Sequence, residues 1–263
     1  MRVWMVPPVL LALAGCGAGT FSYVQSAPPR PFPDPETLAK RLVAMQPDWP
    51  EPRVDCRQTG CVALTFDDGP GRYTGKLLDM LRRRDVKATF FVVGEMAAAE
   101  RGPEHLRQMV RDGHQLGNHS WSHKQLTTLP KRAIRRQLRR TDDLVRQETG
   151  VRMRVMRPPY GSTDRRVAAL TRRRGQAQIL WNVDTFDWRD RVPAVVARRG
   201  ARAGRGAVVL MHDIHRTTVK AVPELIDRLT RKGYAFATVT ELYGRRPEPG
   251  RRYEDDLLGE DGR

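Results

Sequence analysis

Short apolar runs typical of β-strands alternate along this chain with segments of helical periodicity. The strand-like runs read CVALTF, ATFFVVG, HQLGNH, RVMRPP, QILWNVD, GAVVLMH and YAFATV, and the helix-like segments lie at 77–83, 103–111, 129–148, 164–173 and 222–232. Strands and helices that take turns form parallel β-α units in an open sheet or a barrel. About seven strands in a chain of 263 residues favour the barrel, built as a single α/β domain.

Residues 1–15 have the composition of an export signal. One arginine is followed by an apolar run that is too short to span a bilayer, and the sequence LAGC at 13–16 resembles the lipobox of bacterial lipoproteins. We therefore predict a signal peptide at 1–15, cleavage before Cys16, and a lipid on that cysteine. The protein would then be exported and held at the cell membrane, facing the cell wall. An ordinary secretory peptide with a chance cysteine is the alternative.

Composition divides the rest of the chain into three parts. Residues 16–52 are rich in Pro, Ser and Ala, which indicates a linker behind the lipidated N-terminus. The alternating strands and helices occupy 53–244, the predicted folded domain. Residues 245–263 are charged and lack periodicity, so we predict a disordered tail there.

Two cysteines, Cys56 and Cys61, remain once Cys16 is assigned to the lipid. An exported chain folds in an oxidising compartment, and the intervening RQTG has turn character. We predict a local disulfide that closes a hairpin before the first strand, with two reduced thiols as the alternative. A zinc ribbon is excluded because it needs a second cysteine pair.

The chain is strongly basic, with 47 Lys and Arg against 30 Asp and Glu and a formal net charge of +17. Such an excess favours anionic surroundings, which could be nucleic acid, acidic wall polymer or a membrane surface. A nucleic-acid binder would combine basic segments with aromatic residues on a recognisable module, whereas aromatic residues make up only 7% of this chain. We therefore predict no nucleic-acid partner and assign the basic surface to wall polymer or lipid head groups.

Six ionisable residues stand where predicted strands end. They are Asp67, Asp68, His119, Arg157, Asp187 and His212. Parallel α/β folds bind their ligands beyond the carboxyl ends of the strands, so we expect one rim to collect all six. Adjacent carboxylates raise the cost of ionising each other, so the pair Asp67 and Asp68 predicts a cation nearby.

His119 and His123 lie four positions apart, so that one helical turn or a tight loop brings both imidazoles to one side. Two histidines and one carboxylate leave a coordination position open for water on a zinc ion, which is the ligand set of a catalytic site. Taken alone, the H-x-x-x-H spacing is more typical of exposed or core histidines. Together with the strand-end aspartates it favours a metal site.

Five short motifs, TFDDGP, HSWSH, RPPYG, DTFDW and LMH, occur in this order along the chain. Their order and approximate spacing resemble the five motifs of the polysaccharide deacetylases with a NodB homology domain, carbohydrate esterase family 4. The resemblance covers about residues 56–243, with no departure at a motif position. It implies a distorted (β/α) barrel and a metal-dependent hydrolase that releases acetate. The substrate it implies is the N-acetyl group of N-acetylglucosamine-containing cell-wall or chitin-like polysaccharide.

The resemblance also implies which residues hold the metal and activate water. Asp68, His119 and His123 resemble the ligands of zinc or of another divalent ion such as Co²⁺. Asp67 resembles the general base, and Arg157 resembles the arginine that orients this base. A metal of this kind polarises the acetyl carbonyl and lowers the pKa of the attacking water, whose proton the base takes.

The remaining motif residues would serve the leaving group and the acetyl pocket. His212 resembles the general acid that protonates the amine, and Asp187 would hold and tune its imidazole. The backbone N–H of Tyr160 resembles an oxyanion donor. Trp188 and Leu210 are similar to residues that wall the pocket for the acetyl methyl group.

Several polar residues near or between the motifs have weaker signals. Asp184 is predicted to be structural, bonding loop N–H groups. His105 is predicted on the surface of a helix, and His114 at a turn or in the core. His215 lies three residues after His212 and is a candidate for lining the groove.

The sequence is compatible with several substrates. Peptidoglycan is favoured by the anchor, followed by a chitin-type oligomer or poly-N-acetylglucosamine. An acetyl-xylan esterase is the nearest alternative, because O-acetyl and N-acetyl hydrolysis share one transition state and one catalytic set. A polysaccharide-binding protein that had lost activity would show a broken ligand or base position, and the motifs show none. We expect a monomer.

Overall fold

The computed structural model describes residues 53–244 and 246–254. Its strands are β1 Cys61–Asp67, β2 Thr89–Val92, β3 Gln115–Asn118, β4 Val155–Met156, β5 Ala177–Ile179, β6 Val183–Asp184, β7 Val208–His212, β8 Ala235–Phe236 and β9 Arg252–Tyr253. Its helices are α1 Cys56–Thr59, α2 Thr74–Arg83, α3 Gly94–Ala97, α4 Gly102–Arg111, α5 Lys131–Thr149, α6 Arg165–Arg174, α7 Asp187–Asp190, α8 Pro193–Gly200, α9 Arg216–Arg231 and α10 Val239–Tyr243. Short 3₁₀ helices lie at Leu126–Thr128 and Pro159–Gly161.

The described strands form one curled, wholly parallel sheet. Neighbours follow the order β6, β7, β1, β2, β3, β4, β5, β9, and β8 pairs with the first residues of β1. Helices connect most successive strands, as parallel pairing requires. The prediction of a distorted (β/α) barrel in one α/β domain is confirmed, with nine described strands instead of about seven.

One additional strand arises because the run QILWNVD, predicted as a single strand, breaks into β5 and β6. In the break, the carbonyl of Leu180 accepts a hydrogen bond from Arg157 Nη2 at 2.8 Å. The side chain of Asn182 accepts one from the Val208 N–H at 2.9 Å. The Leu180 carbonyl thus bonds to the Arg157 side chain, and the Asn182 side chain bonds to the first residue of β7. Regular strand pairing is therefore interrupted between β5 and β6.

The second additional strand, β9, corrects the predicted tail. It pairs with β5, and the Tyr253 side chain is only 4% exposed, with its ring centroid 5.2 Å from that of Tyr243. The prediction of disorder is therefore wrong for 246–254, because a single buried aromatic side chain anchors a segment that otherwise looks charged and aperiodic. Residue 245 and residues 255–263 lie outside the described residues.

Both faces of the central strand are covered, since all seven residues of β1 are buried. Val62, Leu64 and Phe66 belong to a cluster with apolar residues of α2, α4, α8 and α9. Ala63 packs on the other side with residues of β5, β7 and α10. A parallel strand buried on both faces reads as a continuous apolar run, which is how CVALTF was identified.

The five predicted helices are confirmed, with ends that coincide with the prediction or differ from it by up to six residues. The largest shift is in α9, which begins at Arg216 and continues through Pro223. Along α5, Ile134, Leu138 and Val145 are buried, and the arginines between them point outward. None of the helices among the described residues has both the length and the apolar character needed to cross a bilayer.

The predicted disulfide is confirmed between Cys56 and Cys61. It closes one helical turn, α1, in place of the predicted hairpin. Asp55 caps that turn by accepting from the Arg57 N–H at 2.9 Å, and Gly60 leaves it with a positive φ of 72°. The predicted signal peptide, Cys16 and the linker lie outside the described residues.

Candidate active site

The two adjacent aspartates at the carboxyl end of β1 contact different partners. Asp67 is the last residue of the strand and lies opposite His212 of β7 and Phe91 of β2. Asp68 adopts a left-handed backbone conformation with φ of 74°, which is uncommon for a residue with a side chain. The chain therefore turns sharply after Asp67, and the two carboxylates acquire different partners.

Asp67 is paired with a fully buried arginine. Arg157 Nη1 lies 2.8 Å from Asp67 Oδ1 and 2.8 Å from Thr65 Oγ1. The Nε donates to the Ile179 carbonyl at 3.0 Å, and the guanidinium carbon lies 4.2 Å from the centre of the Phe91 ring. Burial lowers the pKa of Arg157 while the Asp67 charge raises it, and a guanidinium stays charged in proteins. Arg157 thus compensates the buried charge of Asp67.

Asp68 faces two imidazoles. His119 Nε2 lies 3.4 Å from Asp68 Oδ1, and His123 Nε2 lies 3.2 Å from the same oxygen. His119 Nδ1 is 2.6 Å from the Arg157 carbonyl, a contact in which this nitrogen donates. That hydrogen bond leaves the lone pair of neutral His119 on Nε2, directed at the carboxylate.

A loop, and not a helical turn, brings the two histidines together. Ser120 and His123 both have positive φ, and the His123 N–H donates to Ser120 Oγ at 3.1 Å. Gln137 of α5 supports the loop, because its Oε1 accepts from the N–H groups of Trp121 and Ser122 at 2.8 and 2.9 Å. The histidine geometry therefore depends on a residue outside the motif.

These three side chains fit a metal ion. The ligand atoms offered by Asp68, His119 and His123 all lie within 4.8 Å of one another. Asp68 Oδ1 is buried and has no hydrogen-bond partner among the described residues. Burial raises the pKa of Asp68, but the imidazoles outweigh it and the pKa is lowered; for His123, burial and the His119 charge lower the pKa. One carboxylate and two imidazoles, grouped around a carboxylate oxygen that accepts no hydrogen bond, match the donor set of zinc.

A second carboxylate-histidine pair lies at the end of β7. His212 Nδ1 and Asp187 Oδ1 are 2.8 Å apart, and Asp187 Oδ2 accepts from the His212 N–H at 2.8 Å and from Thr218 Oγ1 at 2.6 Å. Asp187 is fully buried. Burial lowers the pKa of His212, but the hydrogen bond and charge of Asp187, with the charges of Asp67 and Asp68, raise it to about 9. His212 therefore carries a proton at neutral pH.

The remaining predicted site residues border this rim in different ways. Tyr160 is 68% exposed, has φ of 61°, and its ring centroid lies 4.7 Å from that of His123. Trp188 is 47% exposed beside Asp187, whose Oδ1 accepts from the Trp188 N–H at 3.0 Å. Leu210 is buried in β7, two residues before His212 and therefore on the same face of the strand.

The secondary expectations are partly met. Asp184 Oδ1 accepts from the Phe186 N–H at 2.7 Å, as predicted for a loop-stabilising residue. His114 is buried, and its Nδ1 accepts from the Ala88 N–H at 3.2 Å. His105 is buried, not on the surface, because it packs against Gly75 of α2. His215 lies near the rim, with its ring centroid 5.9 Å from that of His212.

Two residues that contribute to the site were not among those predicted from the sequence. Gln137 is one polar residue in a basic helix, and its loop contacts arise only in the fold. Asp213 is fully buried behind the Asp68 turn, where Thr74 donates to it and burial raises its pKa to about 7. An apolar run ending in His-Asp could have suggested Asp213, since it directly follows His212.

Comparisons with known proteins find relatives among polysaccharide deacetylases. A family model described as polysaccharide deacetylase matches residues 55–179. The chain is 40% identical over 211 residues to peptidoglycan-N-acetylglucosamine deacetylase PgdA of Listeria monocytogenes serotype 1/2a, strain 10403S, covering 80% of this chain and 43% of that protein. It is 37% identical over 225 residues to chitin deacetylase of Colletotrichum lindemuthianum, covering 81% and 91% of the two chains. The solved structure of T48 deacetylase with substrate is 42% identical, with a TM-score of 0.72, and covers 76% of this chain and 99% of that chain.

Proposed function

We propose that this chain, which belongs to the polysaccharide deacetylase family, removes N-acetyl groups from a polysaccharide. The proposed substrate groups are N-acetylglucosamine residues of a cell-wall or chitin-like polymer. The observation that carries the proposal is the meeting of three groups at one rim. These groups are the pair Asp67–Arg157, the cluster Asp68, His119 and His123, and the pair Asp187–His212. Together they supply a base, a metal site and an acid, which is the set that amide hydrolysis needs.

Asp68, His119 and His123 would hold a divalent cation, zinc or another ion such as Co²⁺. Bound there, the ion would polarise the acetyl carbonyl and lower the pKa of the attacking water, to about 7 in favourable zinc sites. The hydrogen bond from His119 to the Arg157 carbonyl keeps the ring oriented for this role. Arg157 therefore supports the base through its guanidinium and a metal ligand through its backbone.

Asp67 would accept the proton of the attacking water. Arg157 occupies Asp67 Oδ1, so Oδ2 is the oxygen turned to the metal site, 3.7 Å from His119 Nε2. Because Arg157 bonds to Oδ1 alone, Oδ2 is left to take the proton of the water. The water oxygen then bonds to the acetyl carbon while its proton moves to Oδ2.

His212 would donate the proton that the leaving nitrogen requires. Asp187 holds Nδ1, which leaves the Nε2 proton free to face the substrate. As the carbon–nitrogen bond breaks, this proton passes to nitrogen, and the sugar leaves as an amine while the acetyl group leaves as acetate. Burial lowers the pKa of His212, but the hydrogen bond and charge of Asp187 outweigh it and favour the protonated, acid form of the imidazole. We assign the Tyr160 N–H to the oxyanion, and Trp188 and Leu210 to the acetyl pocket.

The proposed setting is the outer side of the cell membrane. The lipobox-like sequence around Cys16 supports export and anchoring, and the basic exterior of α5 supports weak, salt-sensitive contact with anionic wall polymer or lipid. Peptidoglycan is the substrate this setting favours, followed by a chitin-type oligomer or poly-N-acetylglucosamine. We propose that the protein acts as a monomer, without nucleic acid.

The test is acetate release by the purified protein from N-acetylglucosamine oligomers, peptidoglycan and acetylated xylan. Each substrate is assayed with chelator and after adding Zn²⁺ or Co²⁺. Release from the amide substrates that chelator abolishes and metal restores is the expected result. Release from xylan alone would favour the esterase alternative, and no release from any substrate with any metal would favour a non-catalytic binding protein.

A further inference from the structure

An anchored arginine lies beside the candidate acid. Arg191 follows α7 with φ of 52°, a conformation that non-glycine residues adopt rarely. Its Nε donates to the Trp188 carbonyl at 2.9 Å, and its Nη1 lies 2.9 Å from His215 Nδ1. A guanidinium only donates, so His215 Nδ1 accepts, and the neutral ring then carries its proton on Nε2. Two contacts thus hold an exposed side chain in place.

The charge of Arg191 is not neutralised by a carboxylate of the described residues. Its neighbours differ in this respect, because Arg189 and Arg199 both pair with Asp190. Arg189 also lies over the Phe186 ring, 4.6 Å from its centroid. Arg191 instead donates to a carbonyl and an imidazole, and its Nη2 makes no hydrogen bond or ion pair with the residues that the structure describes. This cation is positioned but still able to accept an anionic partner.

The pair lies at the entrance to the catalytic rim. The His215 ring centroid is 5.9 Å from that of His212, and Arg191 bonds to the backbone of Trp188, the residue assigned to the acetyl pocket. A sugar placed for proton donation by His212 would bring its own substituents, or those of the adjoining sugar, to Arg191 and His215. The guanidinium fork matches a carboxylate, and the His215 Nε2–H adds a further donor.

We propose that Arg191 and His215 bind a carboxylate carried by the glycan, so that acidic strands are preferred over neutral N-acetylglucosamine polymers. The chemical class is a polysaccharide whose sugars bear a carboxylate substituent, such as the lactyl ether of N-acetylmuramic acid. The proposal rests on the proposed function, since it concerns the substrate of the same site. It adds a residue pair that distinguishes strands whose lactyl carboxylates are free of stem peptide from neutral, chitin-type strands.

The experiment compares three ligands. The first is peptidoglycan strands freed of stem peptides by an amidase, which exposes the lactyl carboxylates. The second is the same strands with these carboxylates converted to methylamides, and the third is tetra-N-acetylglucosamine. Binding is measured by calorimetry and turnover by acetate release, for the full protein, Arg191→Gln, His215→Leu and the matched control Arg189→Gln.

We expect the unmodified protein to bind charged strands about tenfold more tightly than amidated ones, the effect of one well-placed charged hydrogen-bonding pair at a partly exposed site. The difference should appear in KM more than in kcat. Arg191→Gln and His215→Leu should each reduce this ratio towards one, while Arg189→Gln should keep it. Equal binding of charged and amidated strands, or a ratio unchanged in Arg191→Gln, would overturn the inference.

The two readouts separate this inference from the proposed function. Preferential binding of charged strands without acetate release from any ligand would refute the deacetylase proposal and uphold the carboxylate site. Acetate release with no preference for charged strands would uphold the deacetylase proposal and refute the carboxylate site. Circular dichroism melts of the variants confirm that the altered proteins are folded at the assay temperature.

Discussion

Replacing Arg157 by methionine should destabilise the fold as well as stop turnover. The side chain is fully buried and makes four hydrogen bonds, to Thr65, Asp67, Ile179 and Leu180. Methionine has a comparable length but no donor, so the Asp67 carboxylate would remain buried without its cation. Breaking a buried ion pair by removing one partner costs about 3–5 kcal/mol of unfolding free energy.

We therefore expect Arg157→Met to lose about 4 kcal/mol, which corresponds to a Tm about 8–16 °C lower for a domain of this size. The control is Arg228→Met, which removes an exposed pair with Glu224 one helical turn away, at 2.7 Å. Exposed pairs of this kind contribute only about 0.3–0.5 kcal/mol.

Urea unfolding followed by circular dichroism measures both variants. The reasoning is refuted if Arg157→Met loses no more than about 1 kcal/mol, the range of the control. That result would mean that Asp67 finds another partner or takes up a proton without cost, and that Arg157 does not organise this end of the sheet.

Three further predictions test other parts of the site. Gly69→Ala should weaken zinc binding and destabilise the folded protein by about 1–3 kcal/mol, because a Cβ there would lie 2.2–2.5 Å from the Asp213 carboxylate. The control Gly204→Ala, which has open space around it, should change neither zinc binding nor stability. In metal-free protein, NMR titration should give His212 a pKa of about 9, and Asp187→Asn should lower it; an unchanged value would contradict the pairing. Because the folded-state pKa is the higher one, this pair should stabilise fully below about pH 6.5 and lose that contribution as pH rises through 9. Reducing Cys56–Cys61 should cost about 2 kcal/mol by urea unfolding, and a loss near zero would show that α1 holds without it.

The parts of the fold that sequence predicted were those encoded locally. CVALTF is a continuous apolar run because β1 is covered on both faces, and α5 has an amphipathic pattern because one side packs on the sheet. The site residues could be grouped because parallel strands bring their carboxyl ends to one rim. Asp67 and His212, 145 positions apart in sequence, lie opposite each other in the register of β1 and β7.

The features that sequence could not predict depend on contacts between distant segments. QILWNVD gives no sign of a break, because the carbonyls of Ile179 and Leu180 accept hydrogen bonds from Arg157, which follows β4. Tyr253 lies in a charged segment, and it holds that segment in place only through strand pairing with β5 and contact with the ring of Tyr243. Gln137 supports the histidine loop through backbone groups that any sequence would offer. Such roles have no residue pattern of their own.

The central claim is that the two adjacent aspartates divide the work, with Asp68 holding metal and Asp67 acting as base. The most direct measurement is zinc content and acetate release for Asp67→Asn and Asp68→Asn, side by side. The account predicts that Asp67→Asn retains zinc, which also shows that its site is folded, and loses turnover, while Asp68→Asn loses both. Turnover that survives in Asp67→Asn, or full zinc occupancy in Asp68→Asn, would contradict the account.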